Sequence, residues 1–233
     1  MTNEFADKRV VVTGGTGGLG AAVCETLVAR GAICHVPSRR AFIPGDFALA
    51  QHERVVVATS VDLLDETALS AFYAELPDVW GSIHVAGGFA MSAMLDTSLE
   101  SFHDMMHLNA TSCFLSCREA VRRMRATGRG GRIVNIASRP AVEPTASMTA
   151  YAASKAAVVS ITRTLAVELS AEGILVNVVL PSIMDTEANR KAVPDADHDS
   201  WPKVSEVAEA IAFLASPRNS LTSGALVPVY GKA

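Results

Sequence analysis

The chain has 233 residues, of which 49% are hydrophobic, 19% charged and only 6% aromatic, and it carries a formal net charge of −4. That length fits one large α/β domain with a substantial core, and an aliphatic, ring-poor interior suits parallel strands covered on both faces. The charge argues against nucleic acid as a partner, because the basic cluster of Arg122, Arg123 and Arg125 with Arg129 and Arg132 falls at an expected helix end, where the macrodipole accounts for it.

The amino terminus, MTNEFADKRVVV, is acidic and its apolar run is too short for a signal peptide. No stretch approaches a membrane span, so the expected location is the cytoplasm. Arg9–Thr13 (RVVVT) reads as a buried strand that stops at glycines. It runs into Thr13-Gly14-Gly15-Thr16-Gly17-Gly18-Leu19-Gly20, after which Leu19, Val23, Leu27 and Val28 recur at helical spacing up to a stop at Gly31. Glycines there let the backbone turn tightly and approach a ligand, and a helix N-terminus offers free N–H groups to a diphosphate. Placed between strand and helix, this turn is read as dinucleotide-binding.

Further strands are expected at Ile33–Pro37, 55–60, 82–86, 132–137, 175–180 and Leu226–Val229, with helices at Glu66–Glu75, 99–126, 149–171 and 205–215. Alternating strands and helices predict an α/β fold: a single-domain, Rossmann-type doubly wound sheet of about seven parallel strands, helices on both faces, spanning residues 1–233. Two stretches break the alternation. Residues 41–53 contain Pro44-Gly45 and offer at most a poorly formed helix. Residues 185–202 are polar and long for a loop, the character of a substrate-binding segment or lid. Cys24, Cys34, Cys113 and Cys117 show neither CxxC nor metal-ligand spacing, so they read as small core residues in a reducing compartment, and no metal is expected.

Within the expected helix at 149–171, Tyr151 and Lys155 stand at i and i+4, which puts phenol and ammonium on one face about a turn apart. A free tyrosine is too weak an acid for neutral pH. A cation at about 4 Å favours the phenolate by up to about 4 kcal/mol at an effective dielectric near 20, which would bring the phenol towards the useful range.

Taken with their order along the chain, these motifs resemble the short-chain dehydrogenase/reductase family. TGGTGGLG matches that family's TGxxxGxG loop at Thr13, Gly14, Gly18 and Gly20; Tyr151 and Lys155 match its YxxxK pair. Ser138 stands where the family's catalytic serine does, Asn109 matches its helix asparagine, and Pro181 to Thr186 (PSIMDT) resembles its PGxxxT segment. Two departures stand out. The family's NNAG turn appears as His84-Val85-Ala86-Gly87, so either the asparagines' bonds to the central strands are replaced or the turn is looser than usual, and His84 is either recruited to the site or structural. Ser182 takes the place of a glycine.

The resemblance implies hydride transfer between a nicotinamide and a carbonyl or alcohol carbon of a small or medium substrate. Tyr151 would exchange the proton with the substrate oxygen, Ser138 would hold that oxygen, Lys155 would lower the phenol's pKa and hold the ribose, and Asn109 would keep a water in a proton path to Lys155. Thr13, Gly14, Thr16, Gly17, Gly18, Leu19, Gly20, Ala86, Gly87 and Pro181 would surround the cofactor, with Ile183 and Thr186 on its carboxamide. No carboxylate stands at Ser38 after the second strand, and Arg39 offers a planar fork for a 2′-phosphate, so NADP(H) is expected over NAD. Asp62 either contacts adenine or caps its turn. Phe89, Met91, Met94 and Met148 would give apolar substrate walls, and Arg139 either holds an anionic substrate or faces solvent. The alternatives are a 3-oxoacyl thioester reductase and a non-catalytic NADP-sensing protein, and the two long helices imply a homodimer or homotetramer.

Overall fold

Strand β1 (Arg9–Thr13) sends its valines to two different cores. Val10 and Val12 pack with Leu19, Val23 and Leu27 on one face, while Val11 packs with Leu69, Tyr73 and Ile133 on the other. The two-residue period of a strand makes this division from an unbroken apolar run, and both faces must then be covered. Each such buried side chain contributes about 1.5–3 kcal/mol.

A computed structural model describes residues 3–232. Beside β1 lie β2 (Ile33–Pro37), β3 (Val55–Ala58), β4 (Gly81–His84), β5 (Gly131–Ile136), β6 (Ile174–Pro181) and β7 (Leu226–Val229). They form one seven-stranded parallel sheet in the order β3-β2-β1-β4-β5-β6-β7. Helices α1 (Gly18–Val28) and α7 (Val204–Ala215) cover one face. Helices α2 (Glu66–Glu75), α4 (Ser112–Thr127) and α5 (Thr149–Glu168) cover the other. The chain order reverses between β1 and β4, which pair from Val10–Gly81 to Thr13–His84. Connections leave these two strands in opposite directions, so a crevice opens beyond their carboxyl ends.

The architecture is the expected one, with local differences at 99–126 and 185–202. The helix expected at 99–126 is α3 (Leu99–Met105), a π-helical segment (Met106–Thr111) and then α4, closed by Gly128 in the left-handed region at φ 63°. Residues 41–53 form turns, in keeping with the Pro44-Gly45 break. The stretch 185–202 is more ordered than a loop: it holds a short helix α6 (Glu187–Ala192), started by Thr186 Oγ1 accepting the Asn189 N–H at 3.2 Å, and a 3-10 turn at His198–Ser200. Among the described residues no helix is long and apolar enough to cross a membrane.

Candidate active site

A cavity of about 790 Å³ occupies the crevice. Its floor is the turn between β1 and α1. Gly14 adopts φ +68°, and a Cβ there would lie 2.8 Å from the Ala86 N, so the β1 turn and the segment after β4 can close together only on a glycine. At Gly18 a Cβ would meet nothing, because that side of the turn faces open space. The first intrahelical bond of α1 runs from the Ala21 N–H to the Gly17 carbonyl at 2.7 Å, which leaves the N–H groups of Gly18, Leu19 and Gly20 at the helix start for an anion. This cradle fits a diphosphate.

Of the residues assigned to the cofactor from sequence, Gly14, Thr16, Gly17, Gly18, Leu19, Gly20, Ser38, Arg39, Asp62, Ala86, Gly87, Tyr151, Lys155 and Pro181 line the cavity. Three are not on its wall. Thr13 is buried behind the turn, where its Oγ1 accepts the Ala86 N–H at 3.3 Å. Ile183 is 38% exposed, and Thr186 Oγ1 accepts the Asn189 N–H at the start of α6. Arg40, Leu63 and Met184 line the cavity without having been singled out; Arg40 adjoins Arg39, and that doubled charge was the available signal. At the end of β2, Ser38 is buried and its Oγ accepts the Arg40 N–H at 3.3 Å, while Arg39 and Arg40 are exposed. Asp62 is the cap of its turn, accepting the Leu64 N–H at 2.9 Å, and it faces the same cavity.

The other end of the cavity gathers Ser138, Tyr151 and Lys155. Ser138 follows β5, and the other two lie one turn apart at the start of α5. Burial raises the Tyr151 phenol above its ordinary value, and the Ser138 hydroxyl pulls it partly back. Burial brings Lys155 down to about 8, opposed by Cys113. Lys155 Nζ donates to the Ile136 carbonyl at 2.9 Å. The expected lowering of the phenol by the ammonium therefore gives way to desolvation, because the cation is bonded to the end of β5 and the phenol sits in a dry wall.

Asn109 lies in the π-helical segment and is buried. Its Nδ2 donates to the Gly88 carbonyl and to Ser154 Oγ, both at 3.0 Å, and its Oδ1 accepts the Gly88 N–H at 3.0 Å. The amide clamps the backbone after β4. A Cβ on Gly87 would lie 2.5 Å from Asn109 Oδ1 and 3.2 Å from Lys155 Nζ, so this glycine is the seat on which the two side chains close.

His84 is structural. Its Nε2 meets Ser82 Oγ at 2.8 Å, which meets Tyr73 OH at 2.8 Å; its Nδ1 meets Asn135 Oδ1 at 2.7 Å, and Asn135 Nδ2 donates to Thr162 Oγ1 at 2.9 Å. This chain ties β4 to α2, β5 and α5, the task of the missing asparagines. The donor atoms of His84, Cys113 and Cys117 lie within 4.8 Å of one another, and both nitrogens of the imidazole are already bonded within the protein.

Above Tyr151, the Phe89 ring packs edge-on with centroids 5.0 Å apart and is 60% exposed. Met91 and Met94 are exposed nearby in sequence, and the Ser92 N–H donates to the Ser147 carbonyl at 2.8 Å, tying this loop to the approach to α5. The Arg139 side chain is 37% exposed; its Nε donates to Glu143 at 2.7 Å, and its guanidinium lies 4.8 Å from the Tyr230 ring centroid.

The family model described as short chain dehydrogenase matches residues 8–197. The chain is 32% identical to an NAD-dependent glycerol dehydrogenase of Listeria innocua, over 95% of this chain and 91% of the relative. It is 33% identical to a cis-4-hydroxycyclohexanecarboxylate dehydrogenase of Sinomonas cyclohexanicum, over 99% and 98%. It is 31% identical to a 3-oxoacyl-[acyl-carrier-protein] reductase of Salmonella typhimurium, over 98% of each. A solved short chain dehydrogenase/reductase family protein superposes with a TM-score of 0.89 at 30% identity, over 98% of this chain and 97% of that one.

Proposed function

Because the chain belongs to the short-chain dehydrogenase/reductase family, whose members interconvert alcohols and carbonyls with NAD(P), we propose that Tyr151 is its proton-transfer group, Ser138 its oxygen-holding group and Lys155 its cofactor-facing cation, with NADP(H) preferred. The observation that carries this reading is that one cavity holds both the diphosphate cradle at Gly17–Gly20 and, at its far end, Ser138, Tyr151 and Lys155.

When bound, the nicotinamide supplies the hydride or accepts it at C4. The chain's residues do the rest. Tyr151, kept protonated by its dry surroundings, gives its proton to the carbonyl oxygen in reduction and takes it back in oxidation. Ser138 donates a hydrogen bond to the same oxygen and holds it beside the phenol. Lys155 would hold the ribose hydroxyls. Phe89 restricts the space over the phenol, which supports a small or medium substrate, with residues 185–202 as the closing segment.

Two features support NADP(H). No carboxylate stands at the end of β2 to receive a free 2′-hydroxyl, and Arg39 and Arg40 lie exposed on the cavity wall. The comparison of kcat/KM for NADPH and NADH on a panel of small carbonyl compounds tests the preference. A ratio in favour of NADH would overturn it, and turnover of acyl-carrier thioesters in place of small carbonyls would favour the reductase reading that the Salmonella relative suggests.

A further inference from the structure

We infer that Tyr230, just past β7, is a positioning residue for Ser138, acting through Arg139, and that the substrate side of the cavity is assembled on it. The inference rests on the role proposed for Ser138. Three separate pieces of chain meet at Tyr230 and the glycine that follows it. They are the turn that leaves β5 with Ser138, the exit of β6 at Ser182, and the end of the segment 185–202.

At the exit of β5, Arg139 directly follows Ser138 and opens the 3-10 turn Arg139–Ala141, in which the Ala141 N–H donates back to the Ser138 carbonyl at 3.0 Å. The Arg139 guanidinium lies over the Tyr230 ring, 4.8 Å from its centroid, where the ring's quadrupole attracts it. Glu143 holds the same guanidinium at 2.7 Å, and its own N–H donates to the Arg139 carbonyl at 2.9 Å. That ion pair lies inside the turn and is screened by water, so it cannot anchor the turn to the rest of the protein. The ring can, because it belongs to a different part of the chain.

Tyr230 is itself fixed. It is half-buried against the core on the α5 face of the sheet, and its carbonyl accepts the Ser182 hydroxyl at 2.9 Å. The Ser182 N–H donates to the Val229 carbonyl at 3.2 Å, and Ser182 lines the cavity. The serine that stands in place of the family's glycine thus supplies a side-chain bond that a glycine could not. Gly231 then turns at φ +67°, where a Cβ would lie 2.5 Å from the Ser200 carbonyl oxygen and 2.8 Å from the Pro202 nitrogen. This close approach lets the Lys232 N–H donate to the Ser200 carbonyl at 2.8 Å, while the Pro202 carbonyl accepts the Asp185 N–H at 2.9 Å and so joins the two ends of the segment 185–202. A hydroxyl that must hold a reacting oxygen works only if its support keeps it within about 0.5 Å of the productive place. For Ser138 that support runs through Arg139 to Tyr230.

The test separates the substrate end of the cavity from the cofactor end. Tyr230→Ala should lower kcat/KM for an accepted carbonyl compound by about tenfold, within the range of a lost cation–π contact, and leave the Kd for NADPH unchanged, because the diphosphate cradle lies at the other end. Tyr230→Phe keeps the ring under the guanidinium and should recover most of that loss. An alanine variant as active as the wild type, a phenylalanine variant as impaired as the alanine one, or a loss matched by a weaker Kd for NADPH would each overturn the inference. Amide hydrogen exchange of the cofactor-free protein reads the same contact without turnover. In Tyr230→Ala the Ala141 and Glu143 amides should exchange faster while those of β1 do not change, and unaltered exchange at Ala141 and Glu143 would also overturn the inference. Faster exchange there, in a protein whose wild type turns over no carbonyl or alcohol, would contradict the functional reading and support the anchoring of the turn by Tyr230.

Discussion

The Lys155 ammonium donates to the Ile136 carbonyl at 2.9 Å, which holds the cation against the end of β5 rather than against the phenol one turn before it. Its charge is costly there. A lysine brought down to about 8 from 10.5 by burial binds fewer protons when folded than when unfolded between those values, so its linkage makes stability rise with pH across that window and penalises the fold below it. The penalty at neutral pH is about 3 kcal/mol. Lys155→Met should therefore raise the Tm at pH 7 while removing turnover and weakening cofactor binding, and the gain should shrink as the pH rises past about 8. Thermal unfolding of both proteins across pH checks this.

Gly87 should tolerate no side chain. In Gly87→Ala the new Cβ would sit 2.5 Å from Asn109 Oδ1, and it can be relieved only by opening the clamp on Gly88 or shifting Lys155. The expected result is a loss of kcat/KM larger than the loss of stability. Parallel kinetics and denaturant unfolding measure the two.

His84→Ala removes the middle of a buried chain and leaves Ser82 and Asn135 without their partner. A buried unsatisfied polar group costs about 1–3 kcal/mol, so unfolding should move to lower denaturant by at least that amount. His84→Asn should recover part of the loss, because an amide can again bond across β4 and β5.

Arg39→Ala should lower kcat/KM with NADPH by about tenfold or more and leave NADH nearly unchanged, as expected where a charge-assisted hydrogen bond worth about 1.5–3 kcal/mol is lost for one cofactor only. Ratios measured on one substrate check it.

Strand and helix periodicity made the seven-stranded sheet legible, and the crevice followed from the order of its connections. Ser138, Tyr151 and Lys155 could be read because their chemistry is tied to fixed spacing on one strand end and one helix. What stayed hidden were pairings set by three-dimensional contact. Nothing in the spacing of Asn109 told that its amide would clamp Gly88, or that a π turn would seat it. Burial likewise has no local signature, and it sets the direction of the Tyr151 shift. The polar run at 185–202 hid α6 because its order comes from the Thr186 cap and the Asp185–Arg190 pair rather than from an apolar stripe.

In the proposed reaction, Tyr151 moves the proton. Single-turnover hydride transfer in Tyr151→Phe, followed with NADPH and an accepted carbonyl substrate, tests it most directly. The expected result is cofactor binding close to that of the wild type with hydride transfer slowed by about 10²–10⁴-fold. Transfer at the wild-type rate in the phenylalanine variant would contradict the assignment.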